Sequence, residues 1–186
     1  MAESPRTVFL DRDGVINRKA PEGRYITRWA DFAFLPGAVE ALRRLRASGS
    51  RLVIVTNQRG VARGAMTLDD VAEIHQQMQA ALRQSEAAVD AIYVCPHEEG
   101  ACNCRKPQLG LFRQALTEDP DIDLSRAVAV GDSRSDLVAA NALGCRSCFV
   151  GTAERLAEIR QADRDLRVDA SARSLLDLVT SGEFGR

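Results

Sequence analysis

The segment Val8-Phe-Leu-Asp11-Arg12-Asp13-Gly14 ends an apolar, strand-like run from Thr7 in two carboxylates one residue apart. Alternate side chains of a strand share a face and those of a turn share a rim, so Asp11 and Asp13 converge either way. Converging carboxylates repel one another and lose hydration unless a cation or protons compensate. A hard, oxygen-liganded ion such as Mg2+ suits them. Taken alone, the pattern reads equally well as a polar turn after an edge strand.

Three further segments place polar groups in equivalent positions. Arg51–Val55 reads as a buried strand ending at Thr56, Asn57 and Gln58; Arg105-Lys106-Pro107 precedes a helical stretch from Leu109; Ala127–Gly131 runs into Asp132-Ser-Arg-Ser-Asp136. Singly, Thr56 is a strand cap, Lys106 a solvated charge and Asp132 a helix cap. Ligands of open parallel α/β sheets bind beyond the carboxyl ends of strands, so all four segments are expected to meet in one crevice. Just ahead of Lys106, the loop Cys95-Pro-His97-Glu-Glu-Gly-Ala-Cys102-Asn-Cys104 gathers three thiols and an imidazole. Such a set completes a tetrahedral zinc shell with no open position, hence a structural site, although its spacings differ from those of zinc fingers. The metal would stiffen a loop poor in apolar residues and fix the approach of Arg105 and Lys106.

The order Asp-x-Asp, Thr, Lys, acidic cluster over residues 7–136 resembles the haloacid dehalogenase superfamily of phosphohydrolases. The strings FLDRDGVIN, TNQRGVARG and CRKP, with the metal loop, are similar to the heptose 1,7-bisphosphate 7-phosphatase family and its relative, histidinol-phosphate phosphatase, over residues 7 to about 150. Gly60-Val-Ala-Arg63-Gly64 favours the heptose family. The resemblance implies a doubly wound, Rossmann-like parallel α/β sheet, capless, with a small flap and a zinc loop. It implies a Mg2+-dependent phosphomonoesterase that works through an aspartyl phosphate and removes the 7-phosphate of a heptose bisphosphate. Asp11 would be the nucleophile and Asp13 the acid and base, with Thr56 and Lys106 holding phosphoryl oxygens. Asp11, Asp132 and the backbone carbonyl of Asp13 would hold Mg2+, and Asp136 would orient Lys106 or a metal-bound water. Arg12, Asn57 and Gln58 would border the substrate, and Arg63 and Arg105 would grip a second phosphate or sugar hydroxyls. Many members carry a lysine directly after the last motif's aspartate; here Ser133 stands there, and the positive charge moves to Arg134.

Two other classes compete. A phosphorylation-dependent receiver domain also gathers acids, Thr and Lys at strand ends, but it holds its phosphoacceptor on a middle strand and has no zinc loop. A zinc-stabilised binding module without catalysis is the other.

The elements that must position these residues alternate between strand and helix. Strands are expected at 7–10, 51–55, 91–94, 127–131 and 146–150, with a short edge strand around Val168. Helices are expected after Leu35-Pro36-Gly37, with Val39, Leu42 and Leu45 on one face; from a Thr67–Asp70 capping box, with Val71, Ile74, Met78 and Leu82; and over 174–181. Crossover connections then make the sheet parallel. His75 reads as a surface or interhelical histidine without a partner at matching spacing, Met66 and Met78 as packing residues, and Tyr25, Trp29, Phe32 and Phe34 as flap packing.

At 186 residues and 45% hydrophobic, the chain can bury one substantial core, and a single domain over 1–186 is expected. A net charge of −1 gives no reason to expect nucleic acid or an anionic membrane as partner; the resemblance implies a small phosphorylated sugar as substrate, and a monomer is expected. Strand alternation sends Cys145 and Cys148 to opposite faces as thiols, pointing to a reducing cytoplasm. The stretch MAESPRTV lacks a secretory apolar region, and the apolar runs are too short to span a bilayer.

Overall fold

The computed structural model describes residues 7–182; the leader reading on residues 1–6 lies outside them. Six parallel strands form one sheet: β1 (Thr7–Leu10), β2 (Arg51–Asn57), β3 (Ala91–Cys95), β4 (Ala127–Gly131), β5 (Arg146–Val150) and β6 (Ala170–Ala172), in the order β3-β2-β1-β4-β5-β6. That order reverses direction between β1 and β4, the switch point where a Rossmann-like sheet opens a crevice for ligand.

Helices cover both faces, which is why β1 and β4 are buried at every position. Val8, Leu10, Val128 and Val130 face a layer of α1 (Ala38–Ala47), α2 (Leu68–Gln84) and α6 (Leu175–Thr180). Phe9, Ala127 and Ala129 face α3 (Gly110–Glu118) and α4 (Arg134–Leu143), where Phe9 meets Phe112 edge-on at 5.2 Å. On that second face α5 (Ala153–Ala162) packs Leu156 and Ile159 against Phe149. Cys148 joins the first core and Cys145 the second, on opposite faces as strand alternation requires. Met66 and Met78 are buried packing residues. Among the described residues no helix is long and apolar enough to cross a membrane.

The local signals hold where they are self-contained. Thr67 and Asp70 form a reciprocal capping box at the start of α2. The edge strand lies at Ala170–Ala172, just beyond Val168, and β2 and β3 run on to Asn57 and Cys95, so Thr56 and Cys95 are strand residues. Among the described residues no larger cap interrupts the sheet; a flap between β1 and α1 is tied down by bridges Asp13–Asn17 and Asn17–Phe34. Trp29, Phe32 and Phe34 cluster within it, Trp29 stacked on Phe32 at 4.9 Å and Phe34 edge-on to both. Tyr25 is the exception: it leaves that cluster and lines a cavity beside Asp13.

Candidate active site

β1 ends where its neighbours' polar termini converge. Two donors fall on the same oxygen of Asp11: its Oδ1 accepts from the Arg12 N–H at 2.8 Å and lies 2.9 Å from Lys106 Nζ. Oδ2 is therefore the oxygen left for chemistry. Lys106 is buried, and its ammonium also meets Asp136 Oδ1 at 2.7 Å and donates to Val55 O at 2.5 Å, so all three donors have partners. Burial opposes its charge, but Asp11 and Asp136 outweigh that and hold its pKa above the ordinary lysine value. Asn57 clamps the same segment, accepting from the Lys106 N–H at 3.0 Å and donating to Lys106 O at 3.2 Å.

Asp13 turns away from that group. Its carboxylate accepts from Arg12 Nη2 at 3.1 Å, Asn17 Nδ2 at 2.8 Å and Gln58 Nε2 at 2.9 Å. Burial pushes its pKa up, yet the Arg12 guanidinium and these donors win and hold it below the usual carboxylate range. Gln58 also donates to Thr56 Oγ1 at 2.9 Å, which leaves the threonine's own O–H to donate elsewhere.

Side-chain oxygens of Asp11, Asp132 and Asp136 all lie within 4.8 Å of one another. Burial, reinforced by Asp136, Asp132 and Asp13, outweighs Lys106 and pushes Asp11 up to about 7. Asp132 is raised as well, by burial first and by Asp136, against the pull of Lys19. Its Oδ1 is buried without a hydrogen-bond partner among the described residues. A hard divalent cation fits this donor set, because it would compensate the crowded charge and take up the orphan oxygen. Two glycines make the approach possible: a Cβ at Gly14 (φ 93°) would meet Asp132 Oδ2 at 2.0 Å, and one at Gly131 would meet Asp136 Cβ at 2.1 Å. Asp136 also caps α4, accepting from the Ser133 N–H at 3.1 Å, so one carboxylate fixes both the helix start and Lys106.

The positive charge expected from Arg134 comes from elsewhere. Arg134 points to Asp163 at 2.6 Å, while Lys19 of the flap sits 2.6 Å from Asp132 Oδ2. A cavity of about 180 Å³ beside Asp13 is lined by Arg12, Lys19, Arg24, Tyr25, Asn57 and Gln58. Arg63 lies apart from it, paired with Glu98 together with Arg59, and Arg105 donates to His97 O at 3.5 Å. A larger cleft of about 630 Å³ at the ends of β5 and β6 contains none of these acidic groups.

In the metal loop, Cys95 Sγ lies 3.6 Å from Cys102 Sγ and 3.3 Å from Cys104 Sγ, Cys102 and Cys104 are 3.3 Å apart, and His97 Nδ1 is 3.3 Å from Cys104 Sγ. Zinc–sulfur bonds of about 2.3 Å place tetrahedral sulfurs about 3.7 Å apart, so the cluster fits a zinc ion. The Arg105 N–H donates to Cys102 Sγ at 3.3 Å, linking the loop to the segment that carries Lys106.

His75, expected to lack a partner, is buried and bonds Arg12 at 2.9 Å. Spacing could not reveal it, because the contact spans 63 residues.

The strand order excludes a receiver domain, whose sheet runs 2-1-3-4-5. The HAD-hydrolase-like family model matches residues 103–178, and with the first strand delivering the paired aspartates the chain is a HAD-like phosphatase. Comparison with curated proteins narrows the class. The chain is 45% identical over 152 residues to the D-glycero-alpha-D-manno-heptose-1,7-bisphosphate 7-phosphatase of Mycobacterium tuberculosis (strain H37Rv), covering 78% of this chain and 80% of that one. It is 37% identical over 182 residues to the D-glycero-beta-D-manno-heptose-1,7-bisphosphate 7-phosphatase of Haemophilus ducreyi, covering 94% and 96%. The D,D-heptose 1,7-bisphosphate phosphatase of B. bronchiseptica, solved with magnesium and phosphate, superposes with a TM-score of 0.83 at 33% identity, over 95% of this chain and 97% of that one. The chain belongs to the heptose 1,7-bisphosphate 7-phosphatase family.

Proposed function

We propose that this phosphatase removes the 7-phosphate of a D-glycero-D-manno-heptose 1,7-bisphosphate and retains the 1-phosphate. The observation that carries the mechanism is the division of partners between two carboxylates: Asp11 faces Lys106 and the acidic cluster, Asp13 faces Arg12, Asn17 and Gln58. Asp11 Oδ2 attacks phosphorus in line, the bond from phosphorus to the sugar oxygen breaks, and that oxygen takes the Asp13 proton. Asp13 is held ionised in the free protein; a dianionic phosphate ester arriving beside it adds negative charge and favours its protonation. In the second half Asp13 takes a proton from water, the hydroxide attacks the aspartyl phosphate, and Asp11 and inorganic phosphate separate. Thr56 donates to the phosphoryl oxygens and Lys106 neutralises them, aided by backbone N–H groups at Asp13 and Asn57.

Asp11, Asp132 and the Asp13 carbonyl would hold Mg2+, with Asp136 behind them on Lys106. When bound, Mg2+ would supply Lewis-acid compensation of the charge on the transferring group. Because the ionised form of Asp11 is the ligand and its pKa stands at about 7, protons compete with the metal below that pH. Apparent Mg2+ affinity should fall by up to about tenfold per pH unit below pH 7, and binding near pH 6 should release close to one proton. Calorimetric titration in two buffers of different ionisation enthalpy checks this, and affinity unchanged between about pH 5.5 and 8 would refute it.

Zinc in the Cys95–Cys104 loop is structural, and the enzyme works as a cytoplasmic monomer with no nucleic-acid or membrane partner. Lys19 and Arg24 on the flap, with Arg63 and Arg105 on the zinc-loop side, are the cations available to the second phosphate. The α anomer is the favoured substrate, supported by 45% identity over 152 residues to a relative named for the α anomer against 37% over 182 residues to one named for the β anomer. Phosphate-release kinetics on both anomers and on histidinol phosphate test the reading. kcat/KM for the bisphosphate should exceed that for histidinol phosphate by about tenfold or more, and Arg105→Ala should narrow the gap, since a guanidinium offers paired donors that water replaces poorly. A preference for histidinol phosphate would overturn the substrate and leave the mechanism standing.

A further inference from the structure

The side chain between the two aspartates turns inward. Arg12 is 1% exposed, a guanidinium sealed into the protein beside the site. A buried guanidinium is costly unless its donors are met. Nη2 meets Asp13; Nη1 lies 2.9 Å from His75 Nε2; Nε has no partner among the described residues. Among the described residues, His75 and Asp13 are therefore the side chains whose hydrogen bonds orient the group. Arginine has no acceptor, so His75 Nε2 must be the unprotonated nitrogen and the ring proton sits on Nδ1. Burial and the Arg12 charge keep the ring neutral, with its pKa down at about 3. His75 projects from α2 beside Ile74 and Met78, so its place is set by a helix packed on the sheet.

We propose that His75 is a positioning residue for proton transfer: by accepting from Arg12 Nη1 it holds the guanidinium edge on Asp13 and so aims that carboxyl at the leaving oxygen. The inference rests on the acid role of Asp13 proposed above. A sugar alkoxide leaves poorly without a proton, whereas nitrophenolate leaves without one. Misaiming Asp13 should thus slow one substrate and spare the other, which general loss of structure cannot do.

The test is rapid-quench measurement of first-turnover release of the leaving group, with Mg2+-loaded protein, from the heptose bisphosphate and from p-nitrophenyl phosphate. Any alkyl phosphate the enzyme hydrolyses can replace the heptose. His75→Leu should slow sugar release about 10- to 100-fold and change nitrophenol release by less than about twofold. His75→Gln, whose amide oxygen can accept from Arg12, should recover most of the loss; His75→Asn, too short to reach, should not. If His75→Leu fails to fold, the Gln and Asn pair carries the same contrast. Equal slowing of both substrates, no slowing of either, or failure of glutamine to rescue would overturn the proposal. Asp13→Asn separates the two levels. If it slows both leaving groups alike, the acid role falls and this inference with it; if it is selective and the His75 variants are not, only the His75 inference falls.

Discussion

Asp11→Asn is expected to abolish turnover, lowering kcat by about four orders of magnitude or more, with the fold and the metal loop intact. The amide keeps the shape of the side chain but cannot attack phosphorus, and it removes one carboxylate of the acidic cluster. Little stability should go with it. Asp11 adds no apolar packing at the end of β1, and Lys106 keeps Asp136 at 2.7 Å and Val55 O as partners. The substitution even relieves repulsion among Asp11, Asp132 and Asp136, so the melting temperature should hold or rise. Asp13→Asn should differ in kind, because Asp11 remains to be phosphorylated by an ester with a good leaving group, and the aspartyl phosphate then accumulates for want of a base. Phosphate release, circular dichroism and bound-zinc content on one preparation check both variants. Substantial residual activity in an uncontaminated Asp11→Asn sample would remove the nucleophile assignment.

The contrast between what could and could not be read in advance follows the range of each interaction. β1 and β4 announce themselves because burial on both faces demands unbroken apolar runs, and Thr67 and Asp70 because a capping box is complete within one turn. The Cys95–Cys104 loop is legible for the same reason: its three thiols and one imidazole stand within ten positions. α5 left no such mark, since only Leu156 and Ile159 of its residues are buried. The site's long-range pairings were out of reach. Arg12, flanked by two carboxylates, reads as a rim residue, and only the approach of α2 makes an inward rotamer bonded to His75 favourable. Arg134 looked like the displaced family lysine, yet the start of α4 carries it toward Asp163 and leaves Asp132 to Lys19 of the flap. Composition cannot order such alternatives, because each depends on which surfaces the sheet brings together.

Cys102→Ser should release the metal and weaken the protein at two levels. Protein prepared without added metal should carry close to one zinc per chain by elemental analysis. The serine variant should lose most of it, because an alcohol is a far poorer zinc ligand than a thiolate and the remaining three donors leave an open shell. Metal binding at a closed site is coupled to folding. Loss of about 3–5 kcal/mol would lower the melting temperature of a chain this size by about 10 °C. The second level is catalytic. Cys102 Sγ accepts from the Arg105 N–H at 3.3 Å, and the next residue, Lys106, is held to Asn57 by paired backbone contacts. Once the loop is free, only Asn57 and the buried ammonium fix Lys106, so kcat should fall by about tenfold or more even below the melting transition. Cys145→Ala is the control: that thiol is buried in the core and stands outside the Cys95, His97, Cys102 and Cys104 cluster, so its loss should cost packing and leave zinc in place. Full stability and activity in a loop shown to be metal-free would refute the structural role of the ion.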